Sequence, residues 1–344
     1  MARSHPLREL TRARLLEFLR EPEAIFWVFV FPVLLALGLG IAFRNRPAES
    51  LRIVVERGPD AIALVETLDE SPELRAELLE PAEARNRLRT GKVALVVVPG
   101  DPATYLYDPA RSESRLARLL VDDALQRAAG RIDPRPVEER HLTEPGSRYI
   151  DFLIPGLLGL NLMGSGMWGI GFTIVQFRRK RLLKRLLATP MRKSHFLLSF
   201  MFSRLFFMVA EVAALVSFGW IVFDVRVHGH LVDLVIVSIV GALSFAGLGL
   251  LAASRAQTVE GVSGIMNFIQ LPMWIFSGVF FSYANFPDAM QPFIRALPLT
   301  ALNDALRSVM IDGTPLFDNL TRLAVVAAWG IVSFATALKI FRWS

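Results

Sequence analysis

Polar stretches along the chain are separated by six long apolar runs, at Ala24–Phe43, Phe152–Phe177, Phe196–Phe223, Leu231–Ala253, Gly261–Ser282 and Leu323–Ile340. The first carries no charged residue. At about 1.5 Å rise per residue, a helix of that length just crosses a hydrocarbon core of about 30 Å. The pattern predicts a mainly α, polytopic membrane protein with six transmembrane helices. Helix 1 covers 24–43 and helices 2–6 fall within 152–344. Residues 1–23 are read as a cytoplasmic amphipathic helix on the membrane surface. Leu7, Leu10, Thr11, Leu15 and Phe18 share one face, Glu9, Arg12, Glu17 and Arg20 the other, with Arg8 and Arg14 snorkelling at the edges. Pro22 then turns the chain into the first span.

Between the first two runs, residues 44–151 change period. Leu51–Glu56, Val93–Val98 and Thr104–Tyr107 read as strands, Pro72–Leu88 as a helix broken near Pro81, and Ser112–Ala129 as a helix closed by Gly130. In the last, Leu116, Leu119, Leu120 and Ala124 share a face. This is a small α/β domain with a mixed sheet, followed by a proline- and charge-rich linker at Arg131–Arg148.

The hydrophobic fraction of 53% suits a membrane protein. The net charge of +6 raises nucleic acid as a partner, but its distribution argues against it. Five arginines lie in residues 1–23, and Arg178–Lys193 holds eight basic residues and no acid. Both flank spans, where the positive-inside rule places them in the cytoplasm. Six spans then put both termini in the cytoplasm and 44–151 outside, where 17 basic residues are offset by 20 acidic ones. The first run is too long for a cleavable signal and reads as an anchor. The absence of cysteine excludes disulfides and thiolate metal sites.

Candidate chemistry is sparse. Gly91-Lys92 lacks the glycine and the Ser/Thr of a phosphate loop, so the chain has no nucleotide site of that kind. His228-Gly229-His230 reads as a polar loop rather than a metal site. Within the spans, Glu211 and Arg204 lie seven residues apart on nearly one face, either as a structural pair or as part of a translocation path. Asn161, Asn267 and Gln270 are candidates for interhelical hydrogen bonds. Gly159, Gly164, Gly166, Gly169 and Gly171 crowd the second run, for close packing or for flexibility. The basic stretch Arg178–Pro190, read as a helix, sets Leu182, Leu183, Leu186 and Leu187 against Lys180, Arg181, Lys184 and Arg185. That is either a lipid-headgroup and topology signal or a docking helix.

Three stretches then resemble permease subunits of ATP-binding-cassette exporters, the type-2 membrane family. They are Leu15–Phe43 with Glu21-Pro22, Phe26-Trp27 and Phe31-Pro32; Asp151–Pro190 with Ile154-Pro155-Gly156; and Leu297-Pro298-Leu299-Thr300 with Asp304, Arg307 and Gly313. The resemblance implies a dimer, homomeric or heteromeric, bound to two ATPase subunits that hold the ATP and Mg, with no cofactor in this chain. It implies that the cytoplasmic loop 178–195 carries the coupling helix: Arg181, Leu182, Leu183, Lys184, Arg185, Leu186, Leu187 and Ala188. It also implies a re-entrant region at 286–310, a place in the inner (cytoplasmic) membrane, and export of an unidentified substrate. The other reading is a membrane-anchored sensor or assembly factor acting through the outer domain; a mere anchor needs neither six spans nor Glu211.

Overall fold

The computed structural model describes residues 6–43, 50–132, 148–187 and 193–342. The chain forms two compact units, one from Met1–Arg44 with Thr143–Ser344 and one from Asn45–Leu142.

The helical unit opens with α1 (Pro6–Leu19), then α2 (Pro22–Ile25), a π turn at Phe26–Val30 and α3 (Phe31–Ala42). The π turn has a cause in the sequence. Pro32 has no N–H, so the carbonyl four residues back, Val28, loses its helical donor.

In the α/β unit the order is β1 (Leu51–Glu56), α4 (Ala61–Asp69), β2 (Leu74–Leu79), α5 (Pro81–Arg89), β3 (Leu95–Val98), β4 (Thr104–Leu106) and α6 (Ser112–Ala128). The sheet runs β2-β1-β3-β4, with β1 parallel to both neighbours and β3 antiparallel to β4. Ile53 and Val55 face a core shared with α4 and α6, while Val54 and Val96 meet Ala84 of α5. The sheet is mixed, as expected, but three details differ. The expected helix at Pro72–Leu88 is a strand and then a helix: Leu74, Ala76 and Leu78 alternate with Arg75 and Glu77, and Pro81 starts α5 rather than breaking it. Helix α4 was not anticipated. On α6 the buried positions are Ala117 and Val121 with Leu120 and Ala124 beside them, whereas Leu116 and Leu119 are exposed. Of the expected linker, 133–147 lie outside the described residues.

The chain returns through α7 (Tyr149–Arg179), α8 (Leu182–Leu187), α9 (Lys193–Phe223), α10 (Leu231–Ala253), α11 (Val259–Phe276), α12 (Gln291–Arg295), α13 (Pro298–Met310) and α14 (Leu320–Ile340). Among the described residues, five helical segments are long and apolar enough to cross a membrane: Pro22–Ala42, Tyr149–Arg179, Leu198–Phe223, Leu231–Ala253 and Leu316–Ile340. The run expected at Gly261–Ser282 is helical only to Phe276, because Gly278 takes a left-handed φ of 68°. Glu260, Asn267, Gln270 and Pro272 dilute its apolar character.

Helix α7 is the centre of this unit. Its apolar window is 72% buried against 17% for the first span. It packs on α10, α13, α9, α3 and α11. Small residues permit this: a Cβ on Gly166 would lie 3.0 Å from Phe245, and one on Gly156 2.5 Å from the Val279 carbonyl. Gly164 and Gly169 instead face open space, so the glycines of this helix divide between packing and room. Region 286–310 is broken into short helices, and α13 is buried along nearly its whole length, including Thr300 and Asn303.

Candidate functional site

The polar groups that the sequence singles out in the helical unit fall in three places. The first lies between α7 and α9. Arg204 and Glu211 form a two-pronged ion pair at 2.6 and 2.9 Å, with Arg204 4% and Glu211 1% exposed. Ser165 donates to Glu211 Oε2 at 3.0 Å, and Arg204 also donates to the Leu162 carbonyl at 3.4 Å. Two turns of helix separate the partners, and the length of the arginine side chain bridges them. One turn before Ser165 on α7, Asn161 donates to the Val28 carbonyl at 3.0 Å. That is the carbonyl Pro32 leaves without a donor, so Asn161 ties α7 to the π turn of the first span.

The second place joins α7 to α11. Trp168 donates its indole N–H to Gln270 Oε1 at 2.7 Å, and Gln270 is buried. Asn267, on the same helix, is exposed. It lies with Gly264, Phe268 and Leu271 on a face that no described helix of the unit covers. On α7, Gly169 and Gln176 are also exposed, at a spacing of seven residues. The sequence candidates thus separate: Arg204, Glu211, Asn161 and Gln270 have partners inside the unit, and Asn267 points out of it.

The third is the basic loop. Helix α7 ends at Arg179, and Arg181 sits in the turn with a left-handed φ of 56°. Arg181 is therefore a hinge before α8 rather than part of one continuous helix. Leu183 is buried, Leu182 half-buried, and Lys184 and Arg185 exposed, so the two-faced pattern holds there. Ala188 and the side chains of Leu186 and Leu187 lie outside the described residues.

Arg178 belongs to this basic stretch but turns inward. Its guanidinium donates to the carbonyls of Ala253 and Ser254 at 3.1 Å and of Ala256, at the end of α10, and to the backbone carbonyl of Arg342 at 2.8 Å. A cation at a helix C-terminus satisfies carbonyls that have no helical donor. At the other end of α7, Arg148 pairs with Asp151 at 2.8 Å and donates to the Phe223 carbonyl, at the end of α9, at 2.9 Å.

Arg14 was missed by sequence reasoning. It does not snorkel. It is 7% exposed, paired with Glu17 at 3.2 Å, and its guanidinium sits 4.1 Å from the Phe177 ring and 4.0 Å from Phe200. Burial pulls its pKa down to about 10, still protonated at neutral pH. Phe18 adds a ring contact of 4.1 Å to Phe207. The half-buried face of α1 is thus docked on α7 and α9. The signal was present: Arg14 falls seven residues after Leu7 and four before Phe18, within the apolar face.

Near α13, a cavity of about 380 Å³ is lined by Tyr283, Asp304, Arg295 and Arg307 among others. Tyr283 donates to Asp304 at 2.9 Å, and Arg307 lies 3.6 Å over the Phe152 ring and reaches the Phe152 and Gly278 carbonyls. His228 of the candidate histidine pair lies 3.2 Å from the Met310 carbonyl at the end of α13, a structural contact. Among the described residues no cluster suited to a metal ion is present.

Long apolar helices around a buried ion pair, with polar groups turned inward and an α/β domain inserted after the first span, define a polytopic membrane protein. The chain belongs to a transporter family, described as ABC-2 family transporter protein, whose model matches residues 22–339. It is therefore a transmembrane component of an ABC transporter. It is similar to ABC transporter G family member 20 of Dictyostelium discoideum, 28% identical over 225 residues, or 63% of this chain and 30% of that protein. It is also similar to the linearmycin resistance permease protein LnrN of Bacillus subtilis (strain 168), 24% identical over 179 residues, or 51% of this chain and 46% of that one. In each case the match covers less than half the relative's length.

Proposed function

We propose that this chain is the permease of an ABC exporter driven by separate ATPase subunits. It would cross the inner membrane six times with both termini in the cytoplasm and its α/β domain outside. The family match across residues 22–339 carries the reading, because it spans the helical unit on both sides of the insertion. In it, α11 with the short helices up to Met310 supplies the remaining crossing and a re-entrant segment. Irregular backbone at membrane depth is tolerated only where protein covers it, which suits the burial of α13.

The uncovered face of α11 bearing Gly264 and Asn267 is where a second permease chain meets this one and where substrate passes between them. Asn267 facing lipid alone would lack hydrogen-bond partners. The loop 178–195 docks the ATPase through α8, with Arg181 as its hinge.

The test is reconstitution. The purified chain should hydrolyse no ATP alone and should support hydrolysis when its ATPase subunit is added. Robust hydrolysis by the isolated chain, with contaminants excluded, would reject the assignment.

A further inference from the structure

The α/β unit holds a site that this transport reading does not use. Strands β1 and β2 run parallel with Arg52 directly opposite Arg75. Register partners project to the same face, here the face that α5 covers further along the strands. Like charges so placed are unfavourable in an unliganded sheet. The acidic residues nearby pair with other arginines. Glu77 and Glu83 each pair with Arg87 at 2.8 Å, and Glu56 faces Arg85 at 3.5 Å. Lys92, just after α5, is a third exposed cation without an ion pair among the described residues.

Arg52, Arg75, Arg87 and Lys92 line one cavity of about 410 Å³, with Glu77 as the single carboxylate among its lining residues. Arg87 has an ordinary structural explanation, since it closes the last turn of α5 against two glutamates. Arg52, Arg75 and Lys92 have none. Two exposed arginines side by side on the sheet, with a cavity in front of them, leave room and charge for an anion.

We propose that this basin binds a phosphate group, with Arg52 and Arg75 gripping its oxygens from adjacent strands and Lys92 supplying a further charge. Guanidinium forks match phosphate oxygens two at a time, and the ammonium adds a point charge. Three cations without acidic partners among the described residues suit a dianion better than a single carboxylate. The group could be carried by a soluble phosphate ester or by a phospholipid headgroup, and the chemistry is the same.

The test uses the full chain in maltoside micelles and phosphate-free buffer. Inorganic phosphate is titrated and binding is followed by calorimetry and by thermal unfolding. In parallel, the micelles are doped with phosphatidylglycerol or with diacylglycerol, which differ in the phosphate headgroup. Saturable binding of inorganic phosphate, weakened tenfold or more by Arg52→Gln with Arg75→Gln, supports a soluble ligand. Stabilisation by phosphatidylglycerol but not diacylglycerol, abolished by the same pair of changes, supports a headgroup. Without phosphate the double variant should unfold no earlier than the parent, because the opposed charges are gone. Arg75→Lys keeps the charge and the sheet but loses the fork, and should weaken binding several-fold. No response to either probe, or an equal response in the double variant, overturns the site.

Discussion

At the level of single side chains, the buried Arg204–Glu211 pair is tied to α7 through Ser165 and the Leu162 carbonyl. Removing one member of a buried pair leaves an uncompensated charge and typically costs about 3–5 kcal/mol. Glu211→Leu should therefore lower the unfolding temperature sharply. Glu211→Gln keeps an acceptor for Arg204 and should destabilise less. If Glu211 lines the path, the Gln variant will fold and bind ATPase yet transport poorly; wild-type stability and transport in both variants would remove any role for the pair. The spacing of seven made this pair legible in the sequence. The place of Arg14 on the apolar face of α1 was legible too, but its aromatic partners Phe177 and Phe200 were not, because they come from α7 and α9, far away in the chain. Asn161 was recognised only as a generic interhelical donor. Its acceptor follows from Pro32, through the helical bond that proline cannot make. A double-mutant cycle checks this. Asn161→Leu should cost about 1–3 kcal/mol, the penalty for an unsatisfied buried group. In a Pro32→Ala background, where an alanine N–H can reach the Val28 carbonyl, the same change should cost much less. Equal penalties in both backgrounds would disprove the link.

Among the elements, α8 and α11 carry the testable interfaces. Leu186→Ser with Leu187→Ser leaves every basic residue in place, so insertion and orientation should be unchanged. A docking helix anchors by a few apolar side chains, so ATPase binding should weaken by several kcal/mol. Unimpaired binding and transport would leave the loop as a topology signal alone. For α11, Asn267→Cys in this cysteine-free chain should form a dimer through an oxidised cross-link, whereas a cysteine at Phe341, buried in the helical unit, should not. The reverse pattern would place the dimer face elsewhere. Most elements were legible because the apolar runs are long. The strand β2 was misread because its alternation covers few residues and borders a proline that a helix also favours. The end of α11 was hidden for another reason: apolar residues continue past Phe276, and only the left-handed turn at Gly278 stops the helix.

For the whole molecule, orientation is open to direct labelling. Cysteines introduced at Ser112 and Ser194 should react from opposite sides of the membrane; reaction of both from outside would overturn the assigned topology.

Helix α7 is fastened at both ends, by Arg148 to the end of α9 and by Arg178 to the end of α10. A rod bolted at two points cannot slide lengthwise without releasing a bolt. What remains is flexure, and it is easiest at Gly164 and Gly169, where the helix makes no side-chain contact within the chain that bending would break. A force applied to the loop beyond Arg179 would then arrive at the middle of the membrane as a bow rather than a stroke. It would be felt first at Ser165, which touches Glu211, and at Trp168, which holds Gln270.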